Sequence, residues 1–205
     1  MRAVVDIETD AINATKIHCI VARRADTGET RHWIGDQCRE FGEWSKKIDT
    51  FIMHNGISFD APLLNKFTGS DIKVNQIDDT LIKSQLYNPI REDGHSLEAW
   101  GNFLGHKKGD YHDFATFNED MLKYCYTDTQ LTREVSAYLQ VEGEKFSEES
   151  YDLERKVRSI VDKQQSNGFA FNLMKGMTLE AKLMDELYSL EEKAHDMFPP
   201  TILEL

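Results

Sequence analysis

The chain has 205 residues, of which 40% are hydrophobic and 10% aromatic, enough for one ordinary domain with a core and for an appendage. The formal net charge of −12 argues against an extended nucleic-acid-binding surface, because such surfaces gain affinity from many lysines and arginines. It does not argue against an enzyme that holds a few nucleotides through bound cations, with the protein supplying carboxylates.

The cysteines and the apolar runs indicate the compartment. Cys19, Cys38 and Cys125 are odd in number and show no C-x-x-C spacing, so we expect reduced thiols rather than disulfides or a zinc site. The first residues lack the basic and apolar segments of a secretion signal, and no apolar run reaches the ~18 residues that span a bilayer. These features predict a soluble, cytoplasmic protein without a membrane partner.

Hydrophobic patterns and turn signals predict strands first and helices afterwards. The predicted strands cover residues 3–7, 16–24, 30–35 and 50–55, with a short helix over 41–48. The predicted helices that follow cover residues 62–67, 80–86, 96–104 and 118–139. Three antiparallel strands followed by alternating strands and helices predict an α/β fold with a mixed central sheet flanked by helices.

The sequence changes character beyond Lys145. An acidic connector, EGEKFSEESYDLE, leads to two predicted helices over 150–166 and 174–197, and the NGF between them is a helix stop. This part has no predicted strand and few core residues. We therefore expect one domain over residues 1–145 and a helical arm over 146–205 that packs against another surface.

The first predicted strand, in AVVDIETDAI, carries carboxylates on alternate residues. Asp6 and Glu8 are two apart, so in a strand they project from the same face and could share a cation. The alternative is a solvated strand edge, and the D-x-E pattern is weak by itself. The strand is too apolar for a free edge, which favours a site.

Another carboxylate follows the fourth predicted strand, in HNGISFDAP. The chain turns at Asn55-Gly56, and Asp60 opens a helix that has Pro62 in its first turn. Taken alone, this setting favours helix capping over catalysis, because aspartate before a proline-started helix is an ordinary N-cap.

A third segment, YCYTD, lies on the helix predicted over 118–139. It places Tyr124 and Asp128 four residues apart, on one face of the helix. The alternative is a core tyrosine with an incidental surface aspartate. Met121 and Cys125 belong to an apolar face, and Tyr124 and Asp128 lie at its edge, from which they could reach the end of a central strand.

In their order and spacing, the patterns D-x-E, N-G-x-x-x-D and Y-x-x-x-D of these three segments resemble the motifs of the DEDDy 3′–5′ exonucleases. The form of that superfamily with a catalytic histidine five residues before the last aspartate does not fit, since Lys123 occupies that position.

Further segments extend the resemblance to the proofreading domain of family-A DNA polymerases, above all those of short-tailed, T-seven-type phages. They are DIETD, HNGISFDAP, IDDTLIKSQL, SLEAWGNFLGHKKGDY, NEDMLKYCYTD and KQQSNGFAFN. The resemblance implies a ribonuclease-H-like fold, and in that family the NGFAFN region leads from the exonuclease toward the polymerase thumb. It also implies the host cytoplasm as the location if the chain is phage-encoded.

The resemblance assigns roles to individual residues. Hard oxygen ligands select Mg²⁺ or Mn²⁺ over zinc, and two such divalent cations fit phosphodiester hydrolysis. The carboxylates that would hold them are Asp6, Glu8, Asp60 and Asp128. Tyr124 would hold the attacking water, and Thr9 and Asn55 would contact the terminal nucleotide.

The implied partners are the single-stranded 3′ end of DNA and a polymerase domain, in cis or in trans. A separate polymerase domain is needed because, after Asp128, the sequence offers neither a second set of paired carboxylates in a strand setting nor a basic nucleotide-binding helix. Lys107 and Lys108 could meet a phosphate or belong to a solvated loop. Four aromatic residues could stack on bases, with core packing as the alternative for each: Phe59, Tyr111, Phe114 and Phe117.

Three functions remain open at this point. A proofreading 3′–5′ DNA exonuclease is favoured over a free-standing RNA-trimming exonuclease of the same superfamily, because the NGFAFN arm suits a polymerase. A non-catalytic module that stabilises a polymerase is disfavoured, because no motif carboxylate is missing.

Overall fold

The computed structural model describes residues 1–106 and 111–199. In this part of the chain, five strands form one sheet in the order β3-β2-β1-β4-β5. The strands are β1 (Arg2–Thr9), β2 (Ile17–Arg24), β3 (Thr30–Ile34), β4 (Thr50–Met53) and β5 (Ile77–Asp79). The first three pair antiparallel, whereas β4 runs parallel to β1 and β5 runs parallel to β4. The predicted mixed sheet is therefore confirmed.

Helices surround and follow the sheet. Those of the described residues are α1 (Phe41–Ser45), α2 (Asp60–Thr68), α3 (Thr80–Tyr87), α4 (Leu97–Leu104), α5 (Glu119–Glu142), α6 (Glu148–Asn167) and α7 (Leu173–Met197). Every predicted strand and helix is present, with ends that differ by a few residues. The strand β5 was not predicted, because its three residues are too few to show an alternating pattern.

The alternation along β1 separates an apolar face from a carboxylate face. Ile7 is buried in the main core with residues of α1 and α2, whereas Asp6 and Glu8 project from the opposite face. Across the ladder with β2, these two acidic residues pair with Val21 and Cys19, which pack against α5. The face of the sheet that carries the carboxylates is therefore the face that α5 covers.

The chain divides into two compact units, Met1–Gln164 and a second that begins at Gln165. Most of α6 belongs to the first unit, where Tyr151 is buried in the main core, so this division lies beyond the 145/146 boundary predicted from the sequence. In the second unit, the leucines of α7 are exposed. Among the helices of residues 1–106 and 111–199, none combines the length and hydrophobicity that a membrane span requires.

Candidate active site

Asp6 and Glu8 on β1 form one wall of the candidate site. Glu8 is only 7% exposed, although glutamate is seldom buried without a partner. One potential ligand atom from each of Asp6, Glu8 and Cys125 on α5 lies within 4.8 Å of the other two. The alternative of a solvated strand edge is wrong, because β1 is the central strand of the sheet, between β2 and β4.

Asp60 is the first residue of α2 and only 4% exposed. The capping alternative is wrong, because the N-cap residue is Phe59 and no side chain caps this helix. Burial, and then the charge of Asp79, raise the pKa of Asp60 to about 7, while the backbone N–H groups of Asp60 itself and of Ile7 oppose the rise. The bond with Ile7 holds the Asp60 carboxylate beside the acidic pair of β1.

A buried aspartate that sequence reasoning missed holds the turn between β4 and α2. Asn55 has a φ of 65°, and a Cβ on Gly56 would meet the Cβ of Met53 at 2.3 Å, so the turn requires glycine there. Asp79, at the end of β5, accepts hydrogen bonds from the backbone N–H of Asn55 at 3.0 Å and of Ile57 at 3.1 Å. Asp79 also caps α3, and its position before an apolar helical run is the signal that could have identified it.

The helix α5 carries the third motif to the same place. Asp128 is 5% exposed, and Tyr124, one helical turn before it, is half-buried. The ring of Tyr124 packs against Tyr111 and Phe114, with ring centroids 5.7 Å and 6.4 Å away. Asp128 thereby reaches β1, where its charge acts on Asp6.

Asp6 lies at the centre of this group of acidic side chains. Burial raises the pKa of Asp6 well above its usual value, and the charges of Glu8, Asp128 and Asp60 raise it further, in that order. The thiol of Cys125 donates to Oδ2 of Asp6 over 3.3 Å and opposes the rise. Four carboxylates from β1, α2 and α5 therefore repel one another, and a cation bound between them would offset this repulsion.

The four carboxylates line an open cleft of about 640 Å³. Tyr124 lines it as well, beside two of the aromatic residues considered for base stacking, Phe59 and Phe114. All four of these aromatic residues also pack on a hydrophobic cluster: Phe59 on the main core, and Tyr111, Phe114 and Phe117 on the cluster between β2 and α5. The core-packing alternative therefore applies to each of them, and Phe59 and Phe114 in addition line the cleft.

The two residues predicted to contact a nucleotide differ in their placement. Asn55 lines the cleft. Thr9 is only 6% exposed, does not line the cleft, and its hydroxyl donates to the carbonyl oxygen of Ala11 at 3.0 Å. Lys107 and Lys108 lie outside the described residues.

Two histidines of the cleft were also not identified from the sequence, His54 and His95. The indole N–H of Trp100 donates to the Ser84 hydroxyl oxygen at 3.2 Å, and that oxygen lies 2.8 Å from Nδ1 of His95. A hydroxyl has one donor and two acceptor sites, so Ser84 holds the His95 ring in place in either tautomer. The position of His95 directly before the helix N-cap Ser96 was the available signal.

The donor set fits hard divalent cations. Mg²⁺ and Mn²⁺ prefer carboxylate oxygens, and the residues that would hold them in the cleft are Asp6, Glu8, Asp60 and Asp128. The sulfur of Cys125 is a softer donor, but burial raises the pKa of this thiol well above its usual value. It is therefore a protonated hydrogen-bond donor to Asp6 rather than a thiolate ligand.

No family model matches the chain. The DNA-directed DNA polymerase of Escherichia phage T7 is 25% identical to it in an alignment 251 positions long, which covers 89% of this chain and 34% of that polymerase. The DNA-directed DNA polymerase of Enterobacteria phage T3 matches with the same identity and coverage. The chain thus spans about a third of the length of these relatives.

Among solved structures, Brucella melitensis NrnC bound to pGG superposes with a TM-score of 0.60 at 19% sequence identity, over 83% of this chain and 89% of that chain. This likeness confirms the ribonuclease-H-like fold that the resemblance implied. The sequence matches confirm the resemblance to phage DNA polymerases. This chain is therefore similar to the T-seven-type phage DNA polymerases over a region that has a ribonuclease-H-like fold and gathers the three acidic motifs in one cleft.

Proposed function

We propose that this chain is a metal-dependent 3′–5′ exonuclease that removes terminal nucleotides from single-stranded or frayed DNA, as the proofreading module of a family-A DNA polymerase. The observation that carries the proposal is the meeting of carboxylates from three separate segments in one cleft: Asp6, Glu8, Asp60 and Asp128. The similarity to two phage DNA polymerases supports DNA as the substrate. The polymerase domain would be supplied in cis or in trans.

The acidic, aromatic and amide side chains of the cleft have separate roles in this proposal. The four carboxylates hold two divalent cations, Mg²⁺ or Mn²⁺, which when bound activate water and stabilise charge on the leaving oxygen. The packed ring of Tyr124 fixes a hydroxyl that can both donate and accept, and this hydroxyl orients the attacking water. Asn55 binds the terminal nucleotide, and Phe59 and Phe114 offer ring faces on which its base can stack.

The proposal is tested with the purified full chain on three labelled substrates: single-stranded DNA, single-stranded RNA and fully paired DNA. With Mg²⁺ we expect stepwise release of mononucleotides from the 3′ end of single-stranded DNA, and slower release from the paired 3′ end, which must fray first. EDTA should stop the reaction, and excess Mg²⁺ should restore it. Cleavage at internal phosphodiesters, or hydrolysis that persists in EDTA, would contradict the proposal.

The same substrates separate the two remaining functions. Faster release from RNA than from DNA would indicate a free-standing RNA-trimming exonuclease, which uses the same carboxylates. Absence of hydrolysis on all three substrates with Mg²⁺ and with Mn²⁺ would indicate a non-catalytic module of a polymerase. A 3′-phosphorylated DNA strand serves as the control for polarity, because it blocks the end at which the proposed reaction begins.

A further inference from the structure

The helix α6 contacts the turn between β4 and α2 through a closed set of side-chain hydrogen bonds. Arg158 donates through Nη2 to Oδ1 of Asn55 at 3.1 Å and through Nε to the hydroxyl oxygen of Ser58 at 2.6 Å. Ser58 donates its proton to Oδ2 of Asp162 at 2.7 Å, and Oδ1 of Asp162 lies 3.1 Å from Nε of Arg158. In this set, the guanidinium therefore donates to acceptors, the carboxylate accepts from donors, and the hydroxyl does both.

The contact with Arg158 determines which way the amide of Asn55 faces. A guanidinium has only donors, so the amide atom that faces it must be the oxygen. The Nδ2 group, with its two N–H donors, is then turned away from Arg158. Asn55 is also one of the residues that line the cleft.

The backbone of Asn55 is held in one conformation. Its φ of 65° is a conformation that asparagine tolerates better than most residues, and its N–H is bound to Asp79 at 3.0 Å. Rotation of the side chain is the remaining motion, and Arg158 opposes it. The two constraints come from different elements, β5 and α6.

We propose that Arg158 is a positioning residue that fixes the amide of Asn55 with its N–H groups toward the cleft, where they bind an acceptor oxygen of the 3′-terminal nucleotide. This inference rests on the proposed exonuclease function. Arg158 itself need not contact the substrate. Its effect is on binding, since the hydrogen bonds that the structure shows from Arg158 to the turn reach Asn55 and Ser58.

The first test compares Arg158→Met with Lys156→Met in the full chain. Both variants remove one positive charge from α6, but Lys156 is exposed and pairs with Asp152 rather than with the turn. Arg158→Met should raise KM for a short single strand about threefold to tenfold, the loss expected for one positioned hydrogen bond, with kcat nearly unchanged. Lys156→Met should leave both constants at wild-type values. Equal KM values for the two variants would overturn the proposal.

The second test asks whether Arg158 acts through Asn55. Asn55→Gly removes the amide at a position whose positive φ glycine accepts without strain. If Arg158 acts only by orienting this amide, Arg158→Met should add nothing to the KM of Asn55→Gly. Multiplicative effects of the two changes would show an independent role for Arg158 and contradict the proposal.

The third test does not depend on hydrolysis and uses Arg158→Lys, which keeps the charge on α6 in case Arg158→Met fails to fold. Thymidine 5′-monophosphate is added with Mg²⁺ while the side-chain amide signal of Asn55 is followed by NMR. We expect a shift of this signal in the wild type and a clearly smaller one in Arg158→Lys. Equal shifts, or none in the wild type, would overturn the positioning role. A wild type that shows the shift without hydrolysing DNA would contradict the proposed function and keep the positioning role.

Discussion

The hydroxyl oxygen of Tyr151 on α6 accepts a hydrogen bond of 2.6 Å from the backbone N–H of Asp79 at the end of β5. Asp79 in turn binds the turn that leads to Asp60. One helical turn further along α6, Arg155 donates to the carbonyl oxygen of Ile77 at 3.3 Å. The helix α6 therefore supports the strand and the turn that position part of the candidate site.

Tyr151→Phe should lower the thermal stability of the chain. The change leaves the buried N–H of Asp79 without its acceptor, which costs about 1–3 kcal/mol, or roughly 3–10 °C in Tm for a chain of this size. Thermal unfolding followed by circular dichroism measures the effect. Tyr188→Phe on α7 is the matched control, because that tyrosine is exposed and its change should leave Tm unaltered. A Tm for Tyr151→Phe equal to that of the control would show that the bond contributes nothing to stability.

Two truncations should differ in activity. A chain that ends after Asn167 keeps all of α6, and we expect it to hydrolyse short single strands like the full chain. A chain that ends after Lys145 loses Tyr151 and Arg158, and we expect lower stability and a higher KM. Comparing both truncations on one labelled strand measures the difference. Equal activity of the two would instead favour the boundary at 145/146 predicted from the sequence.

Asp6→Ala and Glu8→Ala should each abolish hydrolysis while keeping the fold. Removing one acid from a cluster that raises the pKa of Asp6 relieves repulsion, so Tm in EDTA should hold or rise. Asp10→Ala is the control with the opposite pattern, because the Asp10 carboxylate accepts bonds from Thr15 and Lys16 outside the cleft. It should lower Tm and keep activity. A wild-type rate in either Asp6→Ala or Glu8→Ala would exclude the proposed cation site.

Tyr124→Phe should slow hydrolysis without ending it. The change removes one hydroxyl and leaves the packing on Tyr111 and Phe114 in place, so the loss should be on the order of ten- to a thousand-fold in kcat. Tyr126→Phe on the same helix is the control, because its hydroxyl bonds to His32 at 2.7 Å and does not line the cleft. Identical kcat values for Tyr124→Phe and the control would show that Tyr124 contributes packing and no catalytic hydroxyl.

The stability of the metal-free chain should fall as pH rises between about 4 and 8. Burial raises the pKa of Asp6, Asp60 and Asp79, to about 7 for Asp60, whereas an aspartate in the unfolded chain has a pKa of about 4. Carboxyls with a raised pKa stabilise the folded state fully below about pH 4, and this contribution is lost as pH rises through the folded-state value. Tm in EDTA should therefore be lower at pH 8 than at pH 5.5.

Mg²⁺ and one variant test the origin of this pH dependence. Because the cation needs ionised carboxylates, Mg²⁺ should raise Tm more at pH 8 than at pH 5.5. Asp60→Asn removes one titrating group and should flatten the Tm profile in EDTA. A wild-type Tm in EDTA that increases toward pH 8 would contradict the raised pKa values as the dominant contribution.

Local features of this protein could be predicted from its sequence, because they depend on neighbouring residues. The alternation of β1 puts Asp6 and Glu8 on one face, and the four-residue spacing on α5 does the same for Tyr124 and Asp128. Element types followed from hydrophobic periodicity for the same reason. The family resemblance then indicated that the three motifs belong to one site, which the local pattern of each motif could not show.

Other features were decided only by the tertiary structure, because they depend on contacts between distant parts of the chain. Asp79 binds Asn55 across 24 positions and Arg158 binds it across 103, so neither pattern is visible in a short segment. The strand β5 exists through its pairing with β4, since three residues carry too weak a pattern alone. The role of Asp60 also depends on tertiary contacts. Its sequence setting is that of a helix cap, but in the structure it is buried beside β1 and belongs to the carboxylate cluster.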